Sequence, residues 1–174
     1  MMKKNLRLII ILAVILSLCI GLYAVITLTN RSEDDDTETT LIRLNDLTDA
    51  AVITVKNSNG TMEFINNGDS WTYTGDETLS IDPTKLASLK QAIVGLTALR
   101  EIDAVDSLSA YGLDKNAITV TAEDGDGKVF KIDIGNEIAT GDGHYALISG
   151  ADKIFIISND LYDASSFNIN DIIS

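Results

Sequence analysis

The sequence is poor in the residues from which metal centres and nucleophilic active sites are usually built. Its 174 residues include one cysteine, Cys19, and one histidine, His144. Cys19 lies inside a long apolar segment, so the rest of the chain has no cysteine for a disulfide, a thiolate nucleophile or a zinc–thiolate site. A single histidine also excludes the usual zinc and copper ligand sets. We therefore expect no cofactor.

Motifs of the common enzyme classes are absent as well. No G-x-S-x-G, Walker A loop or dinucleotide-binding fingerprint occurs. His144 stands at a predicted strand entry, and we interpret it as a surface histidine. Residues 124–127, DGDG, begin like a calcium loop but lack its closing glutamate, and they favour a hairpin turn. We predict that the protein is not an enzyme, while oxygen-ligated calcium or magnesium stays an open alternative.

Positive charge is scarce. The chain has 13 Lys and Arg against 26 Asp and Glu, and residues 41–174 have 9 against 21. A surface this acidic disfavours nucleic acid and anionic headgroups as partners. The polar and acidic residues 29–40 predict a short solvated linker, and the alternative is an acidic patch that binds calcium or a partner.

One long apolar run occupies residues 8–28. As a helix it would extend about 32 Å, enough to cross a hydrocarbon core of roughly 30 Å. Three basic residues precede it and one, Arg31, follows it closely, which predicts a cytoplasmic N-terminus. Processing of this segment, or lipidation at Cys19, is the alternative. The sequence thus predicts a single-pass cell-membrane protein with a cytoplasmic N-terminus at 1–7, a transmembrane helix in the lipid bilayer at 8–28, a linker at 29–40 and an extracytoplasmic domain at 41–174.

The extracytoplasmic part carries mainly strand patterns. One helix is predicted from Pro83 to about Leu96, because Asp82 can cap it and its apolar residues recur on one face. Period-two alternation and Gly-containing turns predict strands at 51–56, 61–65, 70–74, 100–105, 117–122, 128–134, 144–149 and 153–158. A short helix is expected at 159–165. The fold class is therefore α+β, with a mostly antiparallel sheet.

Two segments of the domain resemble each other. Residues 52–65 and 118–132 both read as strand, Gly-containing turn and strand, and both lead through further strands to a helix start. This similarity suggests an internal duplication, a tandem of two ββ(β)α repeats.

Trp71 and Tyr73 are one pair of candidate interaction residues. They alternate on a predicted strand and would form an aromatic platform for a sugar. Aromatic residues on strands are more often core or edge residues, which is the interpretation that we favour.

Tyr111 and Asp114 are the second pair, in the tetrapeptide Tyr-Gly-Leu-Asp. One interpretation is a recognition loop in which both side chains face a ligand. We favour a structural corner, in which Gly112 ends a helical turn in a left-handed conformation, Leu113 enters the core and Asp114 accepts backbone N–H groups.

Several segments in a fixed order carry a resemblance to a known family. They are Trp71, IDPTKLASLKQAIVGL at 81–96, YGLD at 111–114, KIDIGN at 131–136 and HYALISGADKIFIIS at 144–158. In this combination the chain resembles the bacterial family of domains of unknown function 4340 (DUF4340). The resemblance implies an N-terminal membrane anchor and an association with ABC-transporter systems and gliding-type auxiliary proteins. It implies no catalytic residues, and Asn116 stands where family members commonly have proline.

Two functional hypotheses follow. The leading one is a non-enzymatic accessory or scaffold subunit of a membrane complex of the ABC-transporter type, with a permease or ATPase as partner. The alternative is an envelope ligand-binding module for a glycan or a divalent cation.

Overall fold

The computed structural model describes residues 41–68, 70–103 and 107–174. Nine strands in this part of the chain form one sheet in the order β1-β5-β9-β8-β7-β6-β2-β3-β4. Every neighbouring pair is antiparallel. The strands are β1 (Ile42–Arg43), β2 (Val52–Asn57), β3 (Gly60–Asn66), β4 (Trp71–Tyr73), β5 (Thr97–Ile102), β6 (Ile118–Glu123), β7 (Val129–Glu137), β8 (His144–Ile148) and β9 (Ile154–Ile157).

Two α-helices accompany the sheet, α1 (Pro83–Val94) and α2 (Asp160–Ser165), together with 3₁₀ turns at Leu108–Tyr111 and Ile169–Asp171. Both helices contribute side chains to the main hydrophobic core, on the same face of the sheet. The predicted α+β domain with a mostly antiparallel sheet is confirmed.

Alternating burial along the strands explains why their pattern was readable in the sequence. In β6, Ile118, Val120 and Ala122 are buried, whereas Thr119 and Thr121 between them are half-buried. The alternate residues point to opposite faces of the sheet, and only one of these faces is covered by the helices.

The start of α1 is the one predicted. The Asp82 carboxylate accepts a hydrogen bond from the Thr84 N–H at 2.8 Å, and Pro83 occupies the first turn. The helix ends at Val94, two residues before the predicted end, since the backbone of Gly95 leaves the helical conformation although its N–H still bonds to the Gln91 carbonyl. Leu96 is still buried, as the apolar pattern indicated.

A second, smaller cluster lies on the opposite face of the sheet. It consists of Tyr111, Leu113 and Ile154, with Tyr145 and Leu147 packed against it. Ala146, between Tyr145 and Leu147, belongs to the main core, so the two clusters are separated by the sheet. Tyr111 and Leu113, which come after β5 in the chain, therefore lie on the face that the helices leave uncovered.

The strand predicted at 100–105 is wrong in its position. β5 begins at Thr97, and it lies between β1 and β9 rather than beside the meander β2-β3-β4 that precedes it. Residues 104–106 lie outside the described residues. Since β5 pairs with β9 at the far side of the sheet, its position depends on contacts that local sequence patterns do not report.

Both hairpins of the predicted repeat are present in the structure, and the internal duplication itself stays a prediction. In the β2–β6 pair, Ile53 faces Ala122, Val55 faces Val120, and Thr54 faces Thr121 at the centre. The hairpins β2–β3 and β6–β7 are thus related by a local two-fold axis. The symmetry does not extend to the helices, because four strands, β1–β4, precede α1, whereas five strands, β5–β9, lie between α1 and α2.

No helix among the residues described here is both long enough and apolar enough to cross a membrane. The predicted cytoplasmic N-terminus at 1–7, transmembrane helix at 8–28 and linker at 29–40 lie outside the described residues. These three assignments stay predictions.

Candidate functional site, a polar cavity at one end of the sheet

A cavity of about 440 Å³ lies at the end of the sheet where β2 and β7 finish and where β6 and β8 begin. Its other walls come from α2 and from the segment around Gly112. The volume is within the roughly 300–1,000 Å³ of typical ligand sites. Antiparallel pairing brings these strand ends together although they are far apart in the sequence.

Two asparagines in the β2–β3 turn hold α2 against this end of the sheet. The Asn57 Nδ2 donates to the carbonyls of Ser165 at 3.2 Å and Phe167 at 2.8 Å, and the Asn59 Nδ2 donates to the Phe167 carbonyl at 3.1 Å. These carbonyls lie at the end of α2 and just after it, so they have no further turn of helix to bond to. The two amides therefore fix one wall of the cavity.

The interpretation of His144 as a surface histidine is wrong. It lines the cavity and is only 6% exposed. Its ring stacks on Tyr162 with a centroid distance of 4.0 Å and an interplanar angle of 11°. The first position of β8 places it beside the end of β7, which covers it.

The hydrogen bond of the His144 ring defines its tautomer. Nδ1 lies 3.0 Å from the Gly135 carbonyl oxygen. A carbonyl only accepts hydrogen bonds, so Nδ1 carries the hydrogen, and Nε2 of the neutral ring is an acceptor. Nε2 bonds to no described residue. The partner of Nδ1 is a backbone carbonyl rather than a carboxylate, which differs from the arrangement of a hydrolytic triad.

Asn159 supplies a second acceptor without a partner. Its Nδ2 donates to the Gly141 carbonyl at 3.1 Å, whereas its Oδ1 is buried and has no hydrogen-bond partner within the described part of the chain. A buried unpaired acceptor costs about 1–3 kcal/mol, so such atoms are uncommon in folded proteins and often mark functional positions.

The charges of the cavity are all negative. Glu137 and Asp163 are its ionisable carboxylates, and both residues are exposed. None of the described residues that line it is a lysine or an arginine. The lining consists otherwise of amides, hydroxyls and short apolar segments, so the cavity disfavours anions.

A larger groove of about 890 Å³ runs between α1 and α2. Lys85, Gln91 and Asp160 are among its polar residues, and all three are exposed. The described residues that line it include no buried polar atom that lacks a partner. We therefore take the smaller cavity, which holds the unpaired acceptors, as the candidate site.

The structure places Trp71 and Tyr73 against the main core. Trp71 is 8% exposed, and Tyr73 is half-buried with its ring 5.5 Å from that of Phe64. Their surroundings agree with the favoured interpretation as core and edge residues. Neither lines the cavity, and an interaction role for either residue stays a prediction.

Tyr-Gly-Leu-Asp forms the structural corner that the sequence favoured. Gly112 has a left-handed φ of 70°, and Leu113 is buried. The Asp114 carboxylate accepts the Asn116 N–H at 3.0 Å. Tyr111 is 9% exposed and packs edge-on against Tyr145 at 5.1 Å. Neither Tyr111 nor Asp114 lines the cavity, although Gly112 between them does.

The acidic turn at 124–127 also has a structural role. The Asp124 Oδ1 accepts the N–H groups of Asp126 and Lys128, both at 2.9 Å, which closes the β6–β7 hairpin. The described residues contain no group of three or more His, Cys, Asp or Glu side chains that could hold a metal ion.

Sequence reasoning missed the residues that matter at the cavity, namely Asn57, Asn59, Asn136, His144, Asn159 and Tyr162. They lie in four separate segments, and each reads locally as a turn or an element end. No linear motif joins them, because the contacts that bring them together are between strand ends.

A family comparison bears on the same region. Residues 71–174, which contain most of the cavity wall and both helices, match the family described as Domain of unknown function (DUF4340). The chain belongs to this family. The suspected family membership is thereby confirmed. The match begins after the β2–β3 turn, so Asn57 and Asn59 lie outside it. Searches among curated proteins and among solved structures gave no match.

Proposed function

We propose that this DUF4340 protein is a non-enzymatic, membrane-anchored accessory subunit of an extracytoplasmic complex of the ABC-transporter type. The observation that carries the proposal is the uncovered side of four adjacent strands, β7, β6, β2 and β3, here named the open face. It is formed by Val52, Thr54, Lys56, Thr61, Glu63, Ile65, Thr119, Thr121, Glu123, Val129, Lys131 and Asp133.

The open face presents a row of three apolar residues and one glutamate across the sheet. Ile65 faces Val52, Val52 faces Glu123, and Glu123 faces Val129 in consecutive strands. Ile65 is 39% exposed and Val129 is 58% exposed. With strands about 4.8 Å apart, the row extends over roughly 14 Å. The exposed side of a sheet suits a protein partner better than a small molecule, which requires a concave site.

The charge of the open face also suits a protein partner. Lys56 and Lys131 are balanced against Glu63, Glu123 and Asp133, so the open face is nearly neutral although the domain is strongly acidic. The Thr119 hydroxyl donates to the Asp133 carboxylate at 2.6 Å, which further reduces the unpaired charge there. Depletion of net charge is typical of interface centres.

Two further observations support the proposal. The apolar run at 8–28 supports the membrane anchor. The His144 ring donates to a backbone carbonyl rather than to a carboxylate, which argues against the chemistry of a catalytic triad. The family resemblance supports an ABC-type permease or ATPase as the partner.

The test is a crosslinking pulldown of the full-length chain from native membranes, analysed by mass spectrometry. The wild type is compared with a double variant of the open face, Ile65→Arg with Val129→Arg. The charge-matched control is a double variant on the exposed side of α1, Ala87→Arg with Gln91→Arg. The wild type and the control should recover a permease or an ATPase, and the open-face variant should recover much less. Equal recovery with all three chains would contradict the docking role of the open face. Normal assembly at the membrane after deletion of 8–28 would contradict the anchor.

The second candidate function is an envelope ligand-binding module. The polar cavity favours its glycan form, because the cavity has the size of a ligand site and its lining includes the Asn159 Oδ1, a buried acceptor that bonds to no described residue. The divalent-cation form has no comparable support within the described residues.

A further inference from the structure

We infer that the cavity at the end of the sheet binds a neutral, hydroxyl-rich ligand of the size of a small sugar, with Asn159 and His144 as its central acceptors. This inference rests on the second proposed function and names the ligand class. The hydrogen-bonding capacity, the charge and the rigidity of the cavity wall support it.

Two side chains of the cavity lining, Asn159 and His144, each have an acceptor that bonds to no described residue. The Asn159 Oδ1 is buried without a partner. Nε2 is the ring nitrogen of His144 that remains for a ligand, because Nδ1 is held by the Gly135 carbonyl. A ligand that satisfies both atoms must present at least two N–H or O–H groups.

The outer wall adds groups that both donate and accept. Asn116 and Asn136 line the cavity, are exposed, and have side-chain amides that bond to no described residue. A hydroxyl group can donate to Asn159 and accept from these amides, whereas an ammonium group can only donate. Hydroxyls therefore match the whole wall better than an amine does.

The negative charge of the cavity disfavours an anionic ligand. Glu137 and Asp163 are the charged residues of the lining, and both are negative. A phosphate or carboxylate ligand would face these carboxylates without a basic partner. Neutral polyols avoid this repulsion.

The central acceptors are held in place before a ligand arrives. His144 is fixed by its stacking on Tyr162 and by its bond to Gly135, and Asn159 is fixed by its Nδ2 bond to Gly141. Preorganised acceptors lose little conformational freedom on binding, which is a property of built ligand sites.

The test uses the full-length chain in a detergent without a sugar headgroup, and saturation-transfer NMR with three probes of similar shape. The probes, all used in one buffer at about pH 7, are glucose, which is neutral, glucosamine, which is mainly cationic, and glucuronate, which is anionic. We expect glucose to bind at least about tenfold more tightly than glucuronate and more tightly than glucosamine. Binding of glucosamine or glucuronate in preference to glucose would overturn the ligand class and leave the binding module standing. No binding of any of the three would overturn both.

Three single variants test whether glucose binds in the cavity. Asn159→Leu should weaken glucose binding about tenfold, since it removes the buried acceptor with little change of volume. Asn136→Ala changes an exposed residue, so it should fold normally and weaken binding severalfold. Asn170→Ala is the matched control, an exposed asparagine outside the cavity, and it should bind like the wild type. Equal losses for Asn136→Ala and Asn170→Ala, or none for Asn136→Ala, would show that the sugar binds elsewhere.

Discussion

Gly135 is the position at which the corner of Tyr111 to Leu113 touches the sheet most closely, and its replacement by alanine is the sharpest test of this packing. A Cβ at Gly135 would lie 2.2 Å from the Tyr111 carbonyl oxygen, 3.0 Å from the Gly112 carbonyl carbon and 3.1 Å from the Leu113 Cγ. The first two atoms belong to the backbone and cannot rotate away. The φ of Gly135 is not in the positive region, so the effect of Gly135→Ala is steric.

The magnitude follows from the displacement that is needed. The oxygen must move by about 1 Å to reach a van der Waals distance of at least roughly 3.2 Å from the new methyl group. Overpacking of this kind typically costs about 1–3 kcal/mol. Complete undocking of the corner would lose the burial of Tyr111 and Leu113, and burial of one large apolar side chain contributes about 1.5–3 kcal/mol. We therefore expect Gly135→Ala to lower the free energy of unfolding by about 3 kcal/mol.

The assay is thermal and chemical unfolding of the full-length chain in detergent, followed by circular dichroism. For a domain of this size a loss of about 3 kcal/mol lowers Tm by roughly 10 °C. Gly125→Ala is the matched control, because a Cβ there meets no atom within 4 Å and its φ is not positive. It should leave stability unchanged or raise it by up to about 1 kcal/mol. Equal stability of Gly135→Ala and the wild type would refute the close contact between the corner and β7.

Three further predictions concern the fold. Leu89→Ala should lower the free energy of unfolding by about 2–5 kcal/mol, measured by urea denaturation, because the side chain of Leu89 on α1 is fully buried in the main core. In the same assay, Gly112→Ala should lower the free energy of unfolding by more than Gly150→Ala does. Both glycines have a positive φ, but a Cβ at Gly112 would also meet the side chain and backbone of Asn136, whereas a Cβ at Gly150 would meet no atom within 4 Å. Equal costs would refute the crowding at Gly112. The hydrogen bond from Lys90 lowers the pKa of Asp49 from its ordinary value of 3.8. This pair therefore stabilises the folded state above that pH, and the stabilisation is lost as the pH falls through the lower pKa of the folded state. Asp49→Asn should make the acid unfolding of the chain shallower below about pH 4, and an unchanged acid profile would contradict this role.

Local sequence chemistry determined most of the elements. The Asp82–Pro83 pair started α1 where it was expected, since a cap depends only on the next few residues. Gly112 took the left-handed conformation because the turn before it required one. Alternating apolar residues defined both hairpins and their core faces, since a strand with one buried face has a period of two. The acidic composition and the apolar run at 8–28 were equally plain in the sequence.

Tertiary structure decided what the sequence could not, because those features depend on contacts between distant segments. The pairing of β5 with β9 joins residues more than fifty positions apart, and no local pattern indicates which strand is the neighbour. The burial of His144 depends on the end of β7 and on Tyr162, which cover it from other parts of the chain. The cavity exists only because antiparallel pairing collects the ends of four strands beside α2. The elements and their caps thus follow from neighbouring residues, whereas the site follows from the order of the strands in the sheet.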